Sequence, residues 1–203
     1  MLDSNRCIEY PFLSSEECVD GIKYACNKKE SLSNEDVELQ DNIYTADQVT
    51  TANYFKYNFF EDNPQYIDRL LKVLKQGLPW LEYPISVRAW VNVYEVGEGI
   101  KWHAHNGMSG HSYSVNIFLG GDTKPGICYL EPGGELLTVE NKLGHLLISN
   151  CSLWHMVPPN ESKETRYTIG ITIDDYEAMT KQLLRGACFN AKVVGAILLT
   201  DYN

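Results

Sequence analysis

The 203-residue chain carries a formal net charge of −10 at pH 7, with 44% hydrophobic and 22% charged residues. This composition is that of a globular protein and excludes a disordered or collagen-like chain. The acidic balance argues against tight sequence-independent binding to nucleic acid, which needs cationic side chains against the phosphates. The length predicts one domain with a substantial core, spanning residues 1–203.

The cysteine pattern and the apolar runs indicate the cellular compartment in which we expect the protein. Six cysteines are scattered without a C-x-x-C pair, so the sequence indicates neither a disulfide framework nor a zinc site. The first residues are polar and no signal-peptide core follows them. The longest apolar run, Val193 to Leu199, is too short to span a bilayer. We therefore expect a cytoplasmic protein that makes no use of a membrane.

Two amphipathic helices are predicted in residues 1–79, which we expect to support the rest of the fold. Ser14 precedes Glu17 by three residues, the spacing of a capping box, and this predicts a helix over Ser15–Lys28. A stripe of apolar residues with helical spacing predicts a second helix over Pro64–Gln76.

The same N-terminal region contains two predicted strands and a long loop. Cys7–Phe12 is a short alternating segment, and the five aromatic residues of Asn53–Phe60 also favour a strand. Residues 31–50 are polar and weakly patterned, which predicts a loop at the entrance of a site.

From residue 80 the pattern changes to short strands separated by turn residues. Many short strands at close spacing predict a mainly β fold over residues 80–173, a jelly roll or double-stranded β-helix of two facing antiparallel sheets. The apolar stripes of both helices need a sheet to cover, so they should pack on the outside of one sheet. A helix over 174–186 and a final strand over 191–200 complete residues 174–203. The predicted strands of the core are Val87–Tyr94, Ser112–Leu119, Ile127–Leu130, Leu136–Val139, His145–Ser149, Leu153–Val157 and Arg166–Ile173.

Three histidines form a predicted metal site. His103 and His105 stand one residue apart, and side chains at i and i+2 of a strand point to the same side, so both imidazoles would reach one ion. His155 lies on a later predicted strand. A facial set of three protein ligands with open positions is typical of Fe(II) oxygenases. We therefore expect nitrogens of these residues at about 2.0–2.3 Å from one divalent ion.

An arginine follows the third histidine on the next predicted strand. Arg166 would offer a planar guanidinium to the far carboxylate of a dicarboxylate such as 2-oxoglutarate. Thr168 lies two residues on, on the same face, and suits the same carboxylate. On the strand Ser112–Leu119 either alternating set could face the cavity. Because Asn116 is costly to bury without a partner, we favour its set and expect it to contact the co-substrate.

With these residues in view, the chain resembles the 2-oxoglutarate- and Fe(II)-dependent dioxygenases, in their prolyl-4-hydroxylase-like branch. Four segments carry the resemblance in the family's order, Pro11–Cys18, Asn92–His105, Gly144–Pro158 and Arg166–Thr168. The resemblance implies hydroxylation of a peptide or small molecule, coupled to decarboxylation of 2-oxoglutarate to succinate. It implies Fe(II), 2-oxoglutarate and O₂, and it allows ascorbate as an auxiliary reductant. It also implies that Tyr94 contacts the co-substrate carboxylate.

His105 departs from the family's pattern, which is His-x-Asp or His-x-Glu at this point. A neutral imidazole leaves the metal centre more positive by about one charge than a carboxylate does. Two interpretations follow. Either His105 is the third ligand, or it lies outside the coordination sphere and an oxygen of water or co-substrate takes that position.

Two other functions stay open on the sequence alone. Gly97, separated from His103-x-His105 by five residues, matches the opening of a cupin metal motif, although no glutamate follows where that motif needs one. A double-stranded β-helix that has lost its chemistry would instead be a binding module, which the metal content of the purified protein would distinguish from an enzyme. Loops 31–52 and 106–111 would decide the substrate, and they contain no motif that names it.

Overall fold

Ten β-strands and four α-helices lie in the part of the chain that the computed structural model describes, residues 7–34, 49–53, 56–105, 112–176 and 196–200. The helices are α1 Ser15–Leu32, α2 Val49–Ala52, α3 Phe59–Asp62 and α4 Ile67–Gly77, the last preceded by a 3₁₀ turn at Pro64–Tyr66. The strands are β1 Ile8–Pro11, β2 Ile85–Tyr94, β3 Ile100–His103, β4 Ser112–Gly120, β5 Ile127–Leu130, β6 Leu136–Val139, β7 His145–Asn150, β8 Trp154–Val157, β9 Arg166–Asp174 and β10 Ala196–Leu199.

The strands form two antiparallel sheets. One has six strands in the order β1-β7-β4-β9-β2-β10, and the other has four in the order β3-β8-β5-β6. The sheets face each other, since Leu147 of the larger sheet packs against Ile127 and Tyr129 of the smaller one. The predicted mainly β fold of two facing antiparallel sheets, a double-stranded β-helix, is confirmed.

Side-chain alternation on β2 and β9 divides the larger sheet into an apolar and a polar face. Ile169, Ile171 and Ile173 of β9 belong to the main hydrophobic core. The residues between them turn to the opposite face, toward the smaller sheet, because successive side chains of a strand alternate. The two strands pair from Ser86 with Asp174 to Tyr94 with Arg166, so their polar residues share that inner face.

Helices α1 and α4 cover the outer face of the six-stranded sheet, as predicted. The Ser14 side chain accepts the Glu17 N–H at 3.2 Å and the Glu17 carboxylate accepts the Ser14 N–H at 2.8 Å, which confirms the capping box. Helix α1 runs on to Leu32, past its predicted end. Leu70 and Leu74 of α4 are fully buried in the core that also contains the outer face of the sheet.

The predicted strand over Asn53–Phe60 is wrong. Phe59 and Phe60 begin α3, and the Asn58 side chain caps this helix by accepting the Phe60 N–H at 3.0 Å. The Asn58 amide also donates to the Val87 carbonyl at 2.8 Å, so this segment contacts the backbone of β2 through a side chain rather than as a strand. Tyr57, Phe59 and Phe60 fill the core instead of pairing in a sheet.

Some predictions fall outside the described residues. The helix predicted over 174–186 lies outside them from residue 177 onward. The predicted loops lie outside them over 35–48 and 106–111. The predicted C-terminal strand is present as β10, which pairs with β2. Among the helices described, none combines the length and the apolar character that crossing a membrane requires.

Replacing Leu74 with alanine should lower the free energy of unfolding by about 2–5 kcal/mol, because a buried leucine leaves a cavity when truncated. Urea denaturation followed by circular dichroism measures the change. Leu136→Ala is the matched control, since Leu136 is 68% exposed and its truncation should change stability by less than about 0.5 kcal/mol. Equal losses in the two variants would contradict the packing of α4 against the sheet.

Candidate active site

His103, His105 and His155 converge between the two sheets. One potential ligand atom from each residue lies within 4.8 Å of those of the other two. The ring centroids are 5.2 Å apart for His103 and His105, 4.3 Å for His103 and His155, and 5.1 Å for His105 and His155. His155 is buried and the other two are half-buried. Three nitrogen donors around a common centre fit a divalent metal ion.

A β-bulge in β3 brings His103 to this position. Ile100 pairs with Val157 and His103 pairs with His155, so three steps along β3 match two along β8. Without the extra residue, Ile100 and His103 would point to opposite faces of the sheet. With it, both turn inward while Trp102 stays 38% exposed on the outside. Bulges of this kind commonly redirect a side chain beside an active site.

His105 is held by contacts with the other sheet. β3 ends at His103, so the alternation expected of one strand does not extend to His105. Its ring instead stacks on Trp90, with centroids 6.4 Å apart and 24° between the planes. Its Nδ1 lies 3.3 Å from Oγ1 of Thr172. Residues of β2 and β9 therefore orient the third imidazole.

Backbone hydrogen bonds fix the tautomers of two of the rings. Nδ1 of His103 donates to the Lys101 carbonyl at 2.8 Å, and Nδ1 of His155 donates to the Leu153 carbonyl at 2.9 Å. A carbonyl only accepts, so each Nδ1 carries the proton and each Nε2 keeps its lone pair. Such outer hydrogen bonds typically orient histidines that bind a metal.

The surroundings keep these imidazoles neutral. Burial, followed by the charges of His155, His103 and Arg88, lowers the pKa of His105 to about 3. Burial and the charge of His103 lower the pKa of His155 to about 4, and burial lowers the pKa of His103. At neutral pH no proton therefore competes with a metal ion for the nitrogen lone pairs.

Arg166 lies on the same inner face with part of its guanidinium unpaired. It is 1% exposed, and its Nη1 donates to the Pro158 carbonyl at 3.2 Å. Within the described part of the chain, Nε and Nη2 have no hydrogen-bond partner, and burial lowers the pKa of the group. Nε and Nη2 form the edge of the guanidinium that matches both oxygens of a carboxylate. An unpaired buried edge is costly, so it fits an anionic ligand.

The structure brings two of the three remaining predicted contacts next to Arg166. Tyr94, 1% exposed, stands directly opposite Arg166 in the pairing of β2 with β9. Thr168 follows two residues later on the same face. Asn116 lies on the inner face of β4, as predicted, but opposite Gly170 and farther from Arg166.

Sequence reasoning missed the polar network between Arg166 and the histidines. Oδ1 of Asn92 accepts the indole N–H of Trp90 at 3.1 Å and the hydroxyl of Thr51, while Nδ2 of Asn92 donates to Thr168 at 3.1 Å. Counting by two along β2 and β9 finds Trp90, Asn92 and Thr172 from the sequence, because all three share a face with the predicted contacts.

Solved structures share this fold. A prolyl-4-hydroxylase from Pseudomonas putida is 16% identical with a TM-score of 0.56, over 86% of this chain and 95% of that chain. The non-heme, α-ketoglutarate-dependent carbocyclase SnoK from nogalamycin biosynthesis is 15% identical with a TM-score of 0.59, over 85% and 80%. The non-heme monooxygenase ThoJ, in a nickel complex, is 13% identical with a TM-score of 0.60, over 85% and 74%. Such identities establish the fold alone, and no family model and no curated protein matches the chain.

His155→Ala should abolish binding of Co(II), because it removes one of three converging nitrogens. Isothermal titration calorimetry and the visible absorption of Co(II) report this directly. His145→Ala is the matched control, since His145 lies near Glu9 and away from the three rings. If His105→Ala keeps the wild-type affinity, His105 is not a ligand.

The metal-free protein should lose stability as the pH falls from about 6.5 toward 4. The folded pKa values of His105 and His155 lie below the ordinary value of 6.5, so the unfolded chain binds more protons in this window. Each residue contributes a slope of at most about 1.4 kcal/mol per pH unit. Urea denaturation across this range should show a shallower slope for His155→Asn than for His145→Asn. Identical slopes would contradict the neutral state of His155.

Proposed function

We propose that this protein is an Fe(II)- and 2-oxoglutarate-dependent dioxygenase that hydroxylates a peptide or a small molecule. The observation that supports it best is the unpaired Nε–Nη2 edge of Arg166, buried on the same inner face as three neutral imidazoles. A metal site alone would also suit a cupin. A buried guanidinium whose Nε–Nη2 edge has no hydrogen-bond partner among the described residues favours a dicarboxylate co-substrate that reaches both groups.

Each predicted residue has a role in this proposal. His103, His105 and His155 hold Fe(II). When bound, the iron and 2-oxoglutarate together supply the oxidation of a substrate C–H bond by O₂, with conversion of 2-oxoglutarate to succinate and CO₂. The co-substrate is held by the contacts Arg166, Thr168, Tyr94 and Asn116.

The chain's own groups position the co-substrate and keep water away from it. The edge of Arg166 donates to both oxygens of the far carboxylate. Thr168 accepts from Asn92 at 3.1 Å, so its hydroxyl proton is available to the same carboxylate. Tyr94 and Thr168 are almost fully buried, which excludes solvent and strengthens these contacts.

The reaction is tested by measuring succinate formed from 2-oxoglutarate with Fe(II), O₂ and ascorbate, against peptides, amino acids and nucleobases as substrates. Fe(II)-dependent succinate should appear with the wild type and disappear with His155→Ala. His145→Ala should retain the activity. A protein that binds neither metal nor 2-oxoglutarate would be a binding module instead.

Arg166→Ala should raise the apparent KM for 2-oxoglutarate about a hundredfold, because two charge-assisted hydrogen bonds are lost. The affinity for the metal should stay nearly unchanged, since Arg166 makes no contact with the histidines. Arg166→Lys should be intermediate, because it keeps the charge but not the two parallel donors. Arg69→Ala serves as control, since Arg69 pairs with Glu17 near the surface. An unchanged KM in Arg166→Ala would overturn the assignment.

Location and partners remain predictions. The cytoplasm is expected from the scattered cysteines, and the absence of a nucleic-acid partner is expected from the net charge of −10. Ascorbate is included in the assay because the family resemblance allows it as an auxiliary reductant.

A further inference from the structure

A second arginine lies on the inner face of the six-stranded sheet, at the end opposite Arg166. Arg88 of β2 pairs with Thr172 of β9, whereas Arg166 pairs with Tyr94, six residues farther along β2. At the rise of a strand, the two backbone positions are about 20 Å apart.

The histidine site occupies the space between the two arginines. Thr172, the cross-strand partner of Arg88, lies 3.3 Å from the ring of His105. Trp90, two residues after Arg88 on the same face, stacks on that ring. Arg88 therefore borders the metal site on the side that the 2-oxoglutarate contacts leave free.

Among the described residues, Arg88 forms one ion pair, with Asp174. Its side chain is 30% exposed, and its Nη2 lies 3.5 Å from Oδ2 of Asp174. Charge-assisted hydrogen bonds of this type measure about 2.7–2.9 Å, so this contact is long. The other carboxylate oxygen, Oδ1 of Asp174, accepts the Ser112 hydroxyl at 2.7 Å. Asp174 thus orients Arg88 from one side without saturating it.

Each of the two arginines has one acid nearby. Asp174 lies beside Arg88, and the charge of Asp122 acts on Arg166. In the proposed function the far carboxylate of 2-oxoglutarate pairs with Arg166, so Arg88 is the guanidinium that remains for a further ligand. Because Asp174 contacts Arg88 only at 3.5 Å and also accepts from Ser112, a carboxylate could approach Arg88 more closely than Asp174 does.

We propose that Arg88 binds a carboxylate of the prime substrate. This inference rests on the proposed function, because that function places 2-oxoglutarate at Arg166 and the metal beside Arg88. A planar guanidinium matches a carboxylate with two parallel hydrogen bonds. A dianionic phosphate is disfavoured, since Asp174 stands beside Arg88 and would repel its second negative charge.

Matched pairs of ligands test this proposal without turnover. The protein is loaded with Zn(II), which binds nitrogen ligands but has no redox chemistry, and saturated with 2-oxoglutarate. The probes are benzoate and N-acetylated amino acids, each paired with its primary carboxamide. Saturation-transfer NMR titrations then give the dissociation constants of both members of a pair.

The carboxylate of a pair should bind the wild type about tenfold more tightly than its carboxamide, the size expected for a hydrogen-bonded charge pair. Arg88→Gln should bring this ratio to about one, and Arg88→Lys should retain part of it. Lys124→Gln removes the same charge from a side chain that is 75% exposed, and should leave the ratio unchanged.

Three results would overturn the assignment of Arg88: a preference that survives in Arg88→Gln, carboxamides that bind as well as carboxylates, or no binding of any carboxylate at millimolar concentration. Zn(II) and 2-oxoglutarate are titrated first, and their failure to bind the wild type contradicts the proposed function separately. The ligand pairs are also titrated against the unloaded protein. The role of Arg88 is then tested whether or not the protein binds Zn(II) and 2-oxoglutarate.

Discussion

The alternation of side chains on β2 and β9 is the constraint on which the rest of the structure depends. The isoleucines of β9 pack into the main core on one face, and the polar residues share the other. Burial of apolar surface contributes about 25 cal/mol per Å², so the helices fix which face turns inward. A register slip of one residue would exchange the faces and place Arg166 against the helices. The apolar core therefore positions the polar site, and it contacts that site through Trp90.

Hydrogen bonds join several polar side chains of that inner face, and part of the Arg166 guanidinium is an exception. Asn92 joins Trp90, Thr51 and Thr168 into one network. The Nε–Nη2 edge of Arg166 has no such partner in the described part of the chain. An unsatisfied buried group costs about 1–3 kcal/mol. A protein carboxylate at this point would recover that stability, but it would also compete with any anionic ligand.

Local signals in the sequence were sufficient for much of this architecture. The capping box at Ser14, the alternating strands and the inward face of Asn116 are all encoded within a few residues. The segment Asn53–Phe60 could not be assigned in the same way, because burial of its aromatic residues is compatible with either a helix or a strand. Its actual role, contacting the backbone of β2 through Asn58, depends on a strand that comes later in the chain. The bulge that turns His103 inward could not be predicted from the sequence of β3 alone, because it is a property of the pairing of β3 with β8.

In the proposed site, His105 stands where a His-x-Asp site has a carboxylate, and this changes which charges the bound ligands must bring. In a His-x-Asp site the protein itself supplies an anion to the metal. Here the three nitrogens are neutral, and burial lowers the pKa of each imidazole so that it stays neutral. Repulsion between the metal and the guanidiniums is then relieved in part by Asp174 and Asp122, and further by anions that come from solution. Metal binding and anion binding should therefore favour each other, because each removes the electrostatic cost of the other. The negative charge that a His-x-Asp site takes from its own carboxylate must here come from the bound co-substrate and substrate.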